Sequence, residues 1–559
     1  MKNFSAVIVL ATLCTGTALA PASAVAGDDR AALMSQHRGG TIRAVAKAAG
    51  GTMDPQINYT LQYWQLYQAI YDGLVAFKKG PGTEGFKVVA DLAEEMPSPQ
   101  DDGKTYVFKL RKGVKFSNGD PVTVNDVVAS FQRIFKISGP TSGTFYNGIV
   151  GADACIKTPA SCTLDGGVVG DEAAGTITFH LTHADPEFMY KLAVPHASIL
   201  PAATPAKDMG TDLIPGTGAY TIESYNPNER IHIVRNPHFK EWSADAQPDA
   251  FADGISYQFG LTEVNAITAI QHGDADWMFD PPPPDRLPEI SKFGDQLHVN
   301  PLTAVWYAPL SVNLAPFNDV RVRQALNYAV NRDELVTLFG GPSLAAPVCQ
   351  ILPPGFPGHV DSCLYTADPG TGWSAPDLDK AKKLVEESGT KGQEVAIITA
   401  DSDVSMSVGT YIQGVLKDLG YEASVKSMSS DIQFTYIQNT NNKVQISIAQ
   451  WFPDYPAASD FLNVLLSCDS FHPGSDSSIN IGGMCDRELD ERMHKALKLA
   501  LTDPDGANVE WAKIDRAYME KAPWAPLFTP KRVDFVSRRL GNFTFSNQFY
   551  WLLALSWVR

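Results

Sequence analysis

The chain predicts an α/β protein of several domains, and three observations carry that expectation. Its 559 residues exceed what one hydrophobic core usually holds, so two or three domains are expected. Strands alternate with helices through residues 394–462, and a strand, a turn and a helix are written into residues 102–133. A composition of 44% hydrophobic and 19% charged residues is that of an ordinary globular protein.

The segment Asp102 to Arg133 reads DGKTYVFKLRKGVKFSNGDPVTVNDVVASFQR. Tyr106, Phe108 and Leu110 alternate with Val107, Lys109 and Arg111, which gives one apolar and one largely charged face, as in a half-buried strand. Asn118-Gly119 marks a turn. Thr123 with Asp126 three residues on approximates a capping box, and Val127, Val128, Phe131, Ile134 and Phe135 then recur at helical spacing.

Further along, Val395 to Thr399 reads as a buried strand. Val408, Tyr411, Ile412, Val415, Leu416 and Leu419 form a helix face ending at Gly420, and Ala423 to Met428 is a second strand. A short helix follows. Val444, Ile446 and Ile448 alternate with Gln445, Ser447 and Ala449 in a third strand that leads into Trp451-Phe452-Pro453-Asp454-Tyr455. This alternation predicts a mostly parallel sheet, whose ligands gather beyond the carboxyl ends of its strands. Asp454 sits just beyond one. On residue type alone the favoured reading is that it caps a turn beside Pro453, with Trp451 as core.

The N-terminus has the layout of a secretory signal peptide: Lys2, an apolar stretch from Phe4 to Leu13, and small-residue sites at Ala18-Leu19-Ala20, Ala22-Ser23-Ala24 and Ala24-Val25-Ala26. A signal peptide over 1–26 is expected, with the mature chain starting near Gly27. The competing reading, a membrane anchor, meets an apolar core well short of the roughly 20 residues that span a bilayer. No other apolar run reaches that length, so no transmembrane segment is expected in the mature chain.

Loss of residues 1–26 removes Cys14 and leaves Cys155, Cys162, Cys349, Cys363, Cys468 and Cys485. An even count suits an oxidising compartment. The six fall into three sequence-local couples, so disulfides 155–162, 349–363 and 468–485 are expected, with buried free thiols as the alternative. No CxxC occurs, and no histidine clusters with these residues, which leaves a zinc or redox site without support. His180 and His183, three apart on a predicted strand, point to opposite faces and argue against a shared metal.

The formal charge of -17 argues against nucleic acid as a partner. GxSxG, HExxH and GxxxxGK[ST] are all missing from the sequence. A secreted hydrolase built on an unmarked pair of carboxylates stays as the rival class.

The 102–133 string resembles the signature of the family 5 extracytoplasmic solute-binding proteins of ATP-binding-cassette importers, the family of the oligopeptide and dipeptide binders. Three further segments follow in the family's order. Gly216-Thr217-Gly218-Ala219-Tyr220 with Arg235-Asn236-Pro237, after a hairpin-like stretch, resembles its GTGxY and RNP pair, departing from a common GTGPY form at Ala219. Phe317 to Leu335, FNDVRVRQALNYAVNRDEL, resembles its strongest downstream motif, though Val322, Ala325, Leu326, Ala329 and Val330 share a helix face suited to core packing. Ala522-Pro523-Trp524-Ala525-Pro526-Leu527 resembles the return to the first domain.

The resemblance implies a periplasmic-binding-protein-like two-lobe fold with an extra domain. Domain I comprises 27–77, 213–304 and 525–559, domain II 78–212, and domain III 305–524. It implies a binding protein rather than an enzyme, exported to the periplasm or the outer face of the cytoplasmic membrane. No cofactor and no metal are expected. Its partners are a short peptide or other small solute and a membrane permease with its ATPase; a nickel chelate or an oligosaccharide is the alternative cargo, and a monomer the expected state. A chaperone-like or signalling receptor on the same fold differs only in the partner engaged. Relatives are often lipoproteins, but Leu13 before Cys14 departs from the small residue that lipidation requires.

For the site, the resemblance implies that Asp454, three residues after Trp451, pairs with a peptide's α-amino group. An ammonium taken out of water needs such a carboxylate. Trp451 supplies an apolar wall, with Tyr455 beside it. Met53, Tyr63 and Trp64 lie where the first domain borders the cleft, and Trp306 with Tyr307 are further candidates. Aromatics at these positions serve equally as core.

Overall fold

Two large hydrophobic cores divide the chain into two lobes. The computed structural model describes residues 27–475 and 478–559; the expected signal peptide, with Cys14, lies outside the described residues. The first core gathers residues from Ile42 to Phe259 together with Phe549 to Ala554, and the second gathers residues from Val305 to Phe528.

The first lobe is built on a five-stranded sheet. Its order is Trp277–Met278, Thr41–Ala46, Gly254–Phe259, Arg230–Arg235, Tyr220–Asn226. The strand Thr41–Ala46 runs parallel to both neighbours, while the hairpin expected between 220 and 235 forms as an antiparallel pair. A smaller core, including Val45, Ile267, Ile270 and Phe535, covers another part of this lobe.

Beside it stands a three-stranded antiparallel sheet in which Thr176–His180 is central between Thr105–Lys109 and Val168–Asp171. Tyr106, Phe108 and Leu110 are buried and Val107 and Lys109 exposed, as their alternation predicts. The helix Val124–Lys136 starts at the expected capping box. The Asp126 backbone N–H donates to the Thr123 hydroxyl at 3.2 Å, and the Thr123 N–H to the Asp126 carboxylate at 2.8 Å. Val127, Phe131, Ile134 and Phe135 then bury one face.

The GTGxY segment has a steric reason for its glycines. A Cβ on Gly216 would lie 2.0 Å from the carbonyl oxygen of Ile70, and one on Gly218 would lie 2.4 Å from that of Ala69. The two backbones approach closely, and the Gly218 N–H donates to Ile70 O at 3.0 Å.

In the second lobe, Glu394–Ala400 is the centre of a parallel sheet, flanked by Glu422–Met428 and Ile446–Ser447. The helix Asp403–Asp418 packs on it. The third strand departs from expectation. The chain changes neighbours at Ile448, whose N–H still reaches Ile398 O at 2.9 Å, and Ala449–Trp451 then pairs antiparallel with Val305–Pro309. The neighbouring sheet, ordered Leu297–Pro301, Trp524–Phe535, Val305–Pro309, Ala449–Trp451, is antiparallel along that whole path. The expectation of a mostly parallel sheet therefore holds for three strands only, because alternation reveals a strand but not its partner. Val322, Ala325, Leu326, Ala329 and Val330 are core, as their helical spacing predicts.

The strand Trp524–Phe535 belongs to both lobes. Its first half pairs with Val305–Pro309 and its second half with Leu297–Pro301. The outgoing and returning crossings are thus ladder neighbours, joined by the Leu302 N–H to Pro530 O at 3.1 Å and the Thr529 hydroxyl to Leu302 O at 3.0 Å.

All three expected disulfides form. Cys155–Cys162, Cys349–Cys363 and Cys468–Cys485 have Cα separations of 4.5, 5.0 and 4.4 Å, within the normal range. Among the described residues no helix is long and apolar enough to cross a membrane.

Candidate functional site

The segment after Trp451 leaves the sheet edge, turns through Pro453 and enters the buried helix Ser459–Leu466. Asp460, one residue into that helix, organises the turn. Its carboxylate accepts from the Trp451 indole N–H at 3.2 Å and from the Asp454 backbone N–H at 3.1 Å. Asp454 is thereby held at the lobe junction, where one of its carboxylate oxygens accepts from the Tyr59 hydroxyl of the first lobe at 2.7 Å.

Two carboxylates so close and so sheltered resist ionisation. Burial raises the pKa of Asp454, against the opposing hydrogen bond from Tyr59. Burial raises that of Asp460 further, and the neighbouring Asp454 charge adds to it. A cation seated on Asp454 would reverse both effects, so the pair is electrostatically suited to an ammonium.

Two cavities flank the Tyr59–Asp454 bridge. The larger, about 810 Å³, is lined by Trp306, Phe434, Trp451 and Phe452, by the turn Ser402 to Ser405, and by Ile448 and Ala449. Much of this wall lies beyond the carboxyl ends of Glu394–Ala400 and Ile446–Ser447, where parallel sheets place their ligands. The smaller, about 480 Å³, is lined by Trp64, Thr303, Arg532, Gln548 and Tyr550. Tyr59, Phe452 and Asp454 border both.

The residues singled out from sequence fall into three groups. Asp454, Trp451 and Trp306 line the larger cavity, and Trp64 lines the smaller. Met53 and Tyr63 are core: Met53 is 1% exposed, and Tyr63, fully buried, donates its hydroxyl to Tyr225 at 2.9 Å. Tyr307 is also buried, stacked on Trp524 with ring centroids 3.8 Å apart. Tyr455 turns away from both cavities into the first lobe. There it stacks on Tyr190 at 6.2 Å and donates its hydroxyl to Glu187 at 2.8 Å, while the Ser459 hydroxyl takes the other carboxylate oxygen. Burial pushes Glu187 up to about 7, with Lys191 opposing and Asp185 reinforcing.

Sequence reasoning misses Tyr59 within its aromatic-rich segment, because nothing local announces a hydrogen bond to a residue 395 positions away. The Ser402 to Ser405 turn has a readable signal: it follows the carboxyl end of a predicted parallel strand, the same rule that points to Asp454. His196, fully buried behind Tyr59 at 4.8 Å between ring centroids, is missed as well. Both its ring nitrogens lack a hydrogen-bond partner among the described residues, and burial holds the imidazole neutral, its pKa lowered to about 3.

Two lobes joined by adjacent strand crossings, with a lined cleft at their junction, define a binding protein of the two-lobed solute-capturing class. The model of the bacterial extracellular solute-binding proteins, family 5, matches residues 87–472. The chain belongs to this family, whose members are the solute-binding components of ATP-binding-cassette importers. It is 26% identical over 466 residues to the periplasmic oligopeptide-binding protein OppA of Escherichia coli, covering 79% of this chain and 80% of that protein. It is 25% identical over 512 residues to the probable deoxycholate-binding periplasmic protein YgiS of the same organism, covering 89% of each. Among solved structures, clavulanic acid biosynthesis oligopeptide binding protein 2 shares the fold with a TM-score of 0.84 at 23% identity, over 94% of this chain and 96% of that one.

Proposed function

We propose that this protein captures short peptides with free N-termini in the cleft between its lobes and delivers them to a membrane permease. The observation that carries this reading is Asp454, which borders both cavities and is backed by the buried Asp460, since the pair favours an ammonium and Asp454 faces the space a ligand would fill. The aromatic walls suit side chains of varied shape, and water fills what they leave. The name of OppA, an oligopeptide binder, agrees with peptides; that of YgiS marks a different solute on a related chain.

In this reading the protein acts as an exported monomer on the periplasmic side and performs no chemistry. An open form takes up the solute, bending at the paired crossings near residues 302 and 530 closes the lobes over it, and the closed form is presented to the permease. The partner ATPase supplies the energy. The division into domains I, II and III accompanies this proposal. Native mass spectrometry of the mature protein, before and after adding a defined pool of two- to six-residue peptides, tests it. Bound peptide masses are expected; a spectrum unchanged by the pool would reject peptides in favour of another small solute.

A further inference from the structure

The larger cavity is lined by two acidic side chains, Asp403 and Asp454, and by no lysine, arginine or histidine among the described residues. Asp454 is engaged by Tyr59, whereas Asp403 is exposed at the start of the helix Asp403–Asp418, where Ser402 provides the cap by accepting from the Ser405 N–H. The rest of the wall is rich in aromatics: Tyr59, Trp306, Phe434, Trp451 and Phe452. Phe452 is 43% exposed, so much of its ring is open to a ligand. Carboxylates set among aromatic faces complement a cation with flat or aliphatic body, the chemistry of a guanidinium or ammonium on a carbon stem. A ligand carboxylate there would meet like charge and no counter-ion. The smaller cavity differs: Arg532 lines it together with Asp454, so its lining carries one charge of each sign where the larger cavity carries acidic charge only.

We infer that the larger cavity selects a basic side chain, arginine or lysine, and that Asp403 determines this specificity. The inference rests on the peptide reading above: Asp454 holds the α-amino group, and a basic side chain of the same peptide reaches Asp403. The discriminating group is thus a carboxylate at the mouth of the Ser402 to Ser405 turn.

The test compares tripeptides carrying arginine or its neutral isostere citrulline at position one, two or three, by calorimetric titration of the full mature protein. At one position the arginine peptide is expected to bind about tenfold more tightly than the citrulline peptide, a difference of about 1.4 kcal/mol. In Asp403→Asn this ratio falls to near one through weaker binding of the arginine peptide. An unchanged melting temperature verifies that the variant is folded, and Asp403→Glu restores the preference. Equal binding of the two peptides at every position, or a ratio that survives Asp403→Asn, overturns the selectivity while leaving peptide capture intact. Failure of every peptide to bind the unsubstituted protein overturns the peptide reading itself.

Discussion

The hydroxyl of Tyr455, from the second lobe, donates to the buried carboxyl of Glu187, from the first, at 2.8 Å. Tyr455 is counted in the first core and Phe86 in the second, so each lobe inserts one aromatic ring into the other. Tyr455→Phe removes a hydrogen bond to a buried carboxyl, worth about 1.5 kcal/mol or more. If this contact forms on closure, affinity falls about tenfold, mainly through faster release. Stopped-flow displacement of bound ligand measures it, and an unchanged release rate would assign Tyr455 to packing alone.

Closure should also depend on pH through Glu187. Its carboxyl is raised from about 4.5 to about 7, first by burial, and it faces Lys191, Asp185, Tyr190 and Tyr455, with Asp460 nearby. A group raised on burial adds stability that is complete below the lower value and lost as pH rises through the upper one. The closed form is therefore favoured near pH 5 and weakened by about pH 8. Small-angle scattering of the unliganded protein across that range reads the change, and Glu187→Gln should flatten it.

Asp454→Ala should weaken free-amine peptides about 100-fold and their N-acetylated counterparts little, because only the former lose a sheltered charge pair. Equal losses for both would remove the amine-anchoring role.

Cation binding should release protons. Asp454 and Asp460 both hold protons more tightly than ordinary carboxylates when no cation is present, and an ammonium favours their ionised forms. Affinity is then expected to rise with pH over the range in which the pair titrates. Calorimetry in buffers of different ionisation heat counts the protons, and a count of zero at acidic pH contradicts this account.

Gly216→Ala should destabilise the first lobe by about 3 kcal/mol, since the added methyl meets backbone rather than a side chain that can swing aside. Replacing Cys349 and Cys363 by alanine, which frees a span of 14 residues, should cost a similar amount, about 3 kcal/mol. Urea denaturation of the two variants compares them; a loss under about 0.5 kcal/mol in either would show that the local backbone relaxes freely.

Local patterns are the legible part of the chain. The alternation at Tyr106, Phe108 and Leu110 and the cap at Thr123 are set by neighbours in sequence, and both appear as read. The pairing of Ala449–Trp451 is not legible, because its partner Val305–Pro309 lies far away in sequence and fits equally well on either side of a strand. In the helix Leu61–Tyr67, residues 62 to 67 are buried on every face, so nothing in its periodicity separates Trp64, at a cavity, from Tyr63, in the core. Asp454 and Trp451 reach a cavity wall because they follow a strand end, where ligands collect; Tyr455, next in line, lies where the chain bends and packs into the first lobe against Tyr190 and Glu187.

The paired crossings near Leu302 and Pro530 have a consequence for the architecture as an assembly of parts. The segment between them leaves and re-enters through hydrogen-bonded neighbours, about 5 Å apart across the ladder. The second lobe is thus an insertion whose two ends already meet, and a short linker would join them without disturbing the sheet. Such a graft site lets the lobe that carries Asp403 and Asp454 be exchanged between homologous chains, so that cargo preference could be recombined independently of the lobe that carries the signature strand and helix.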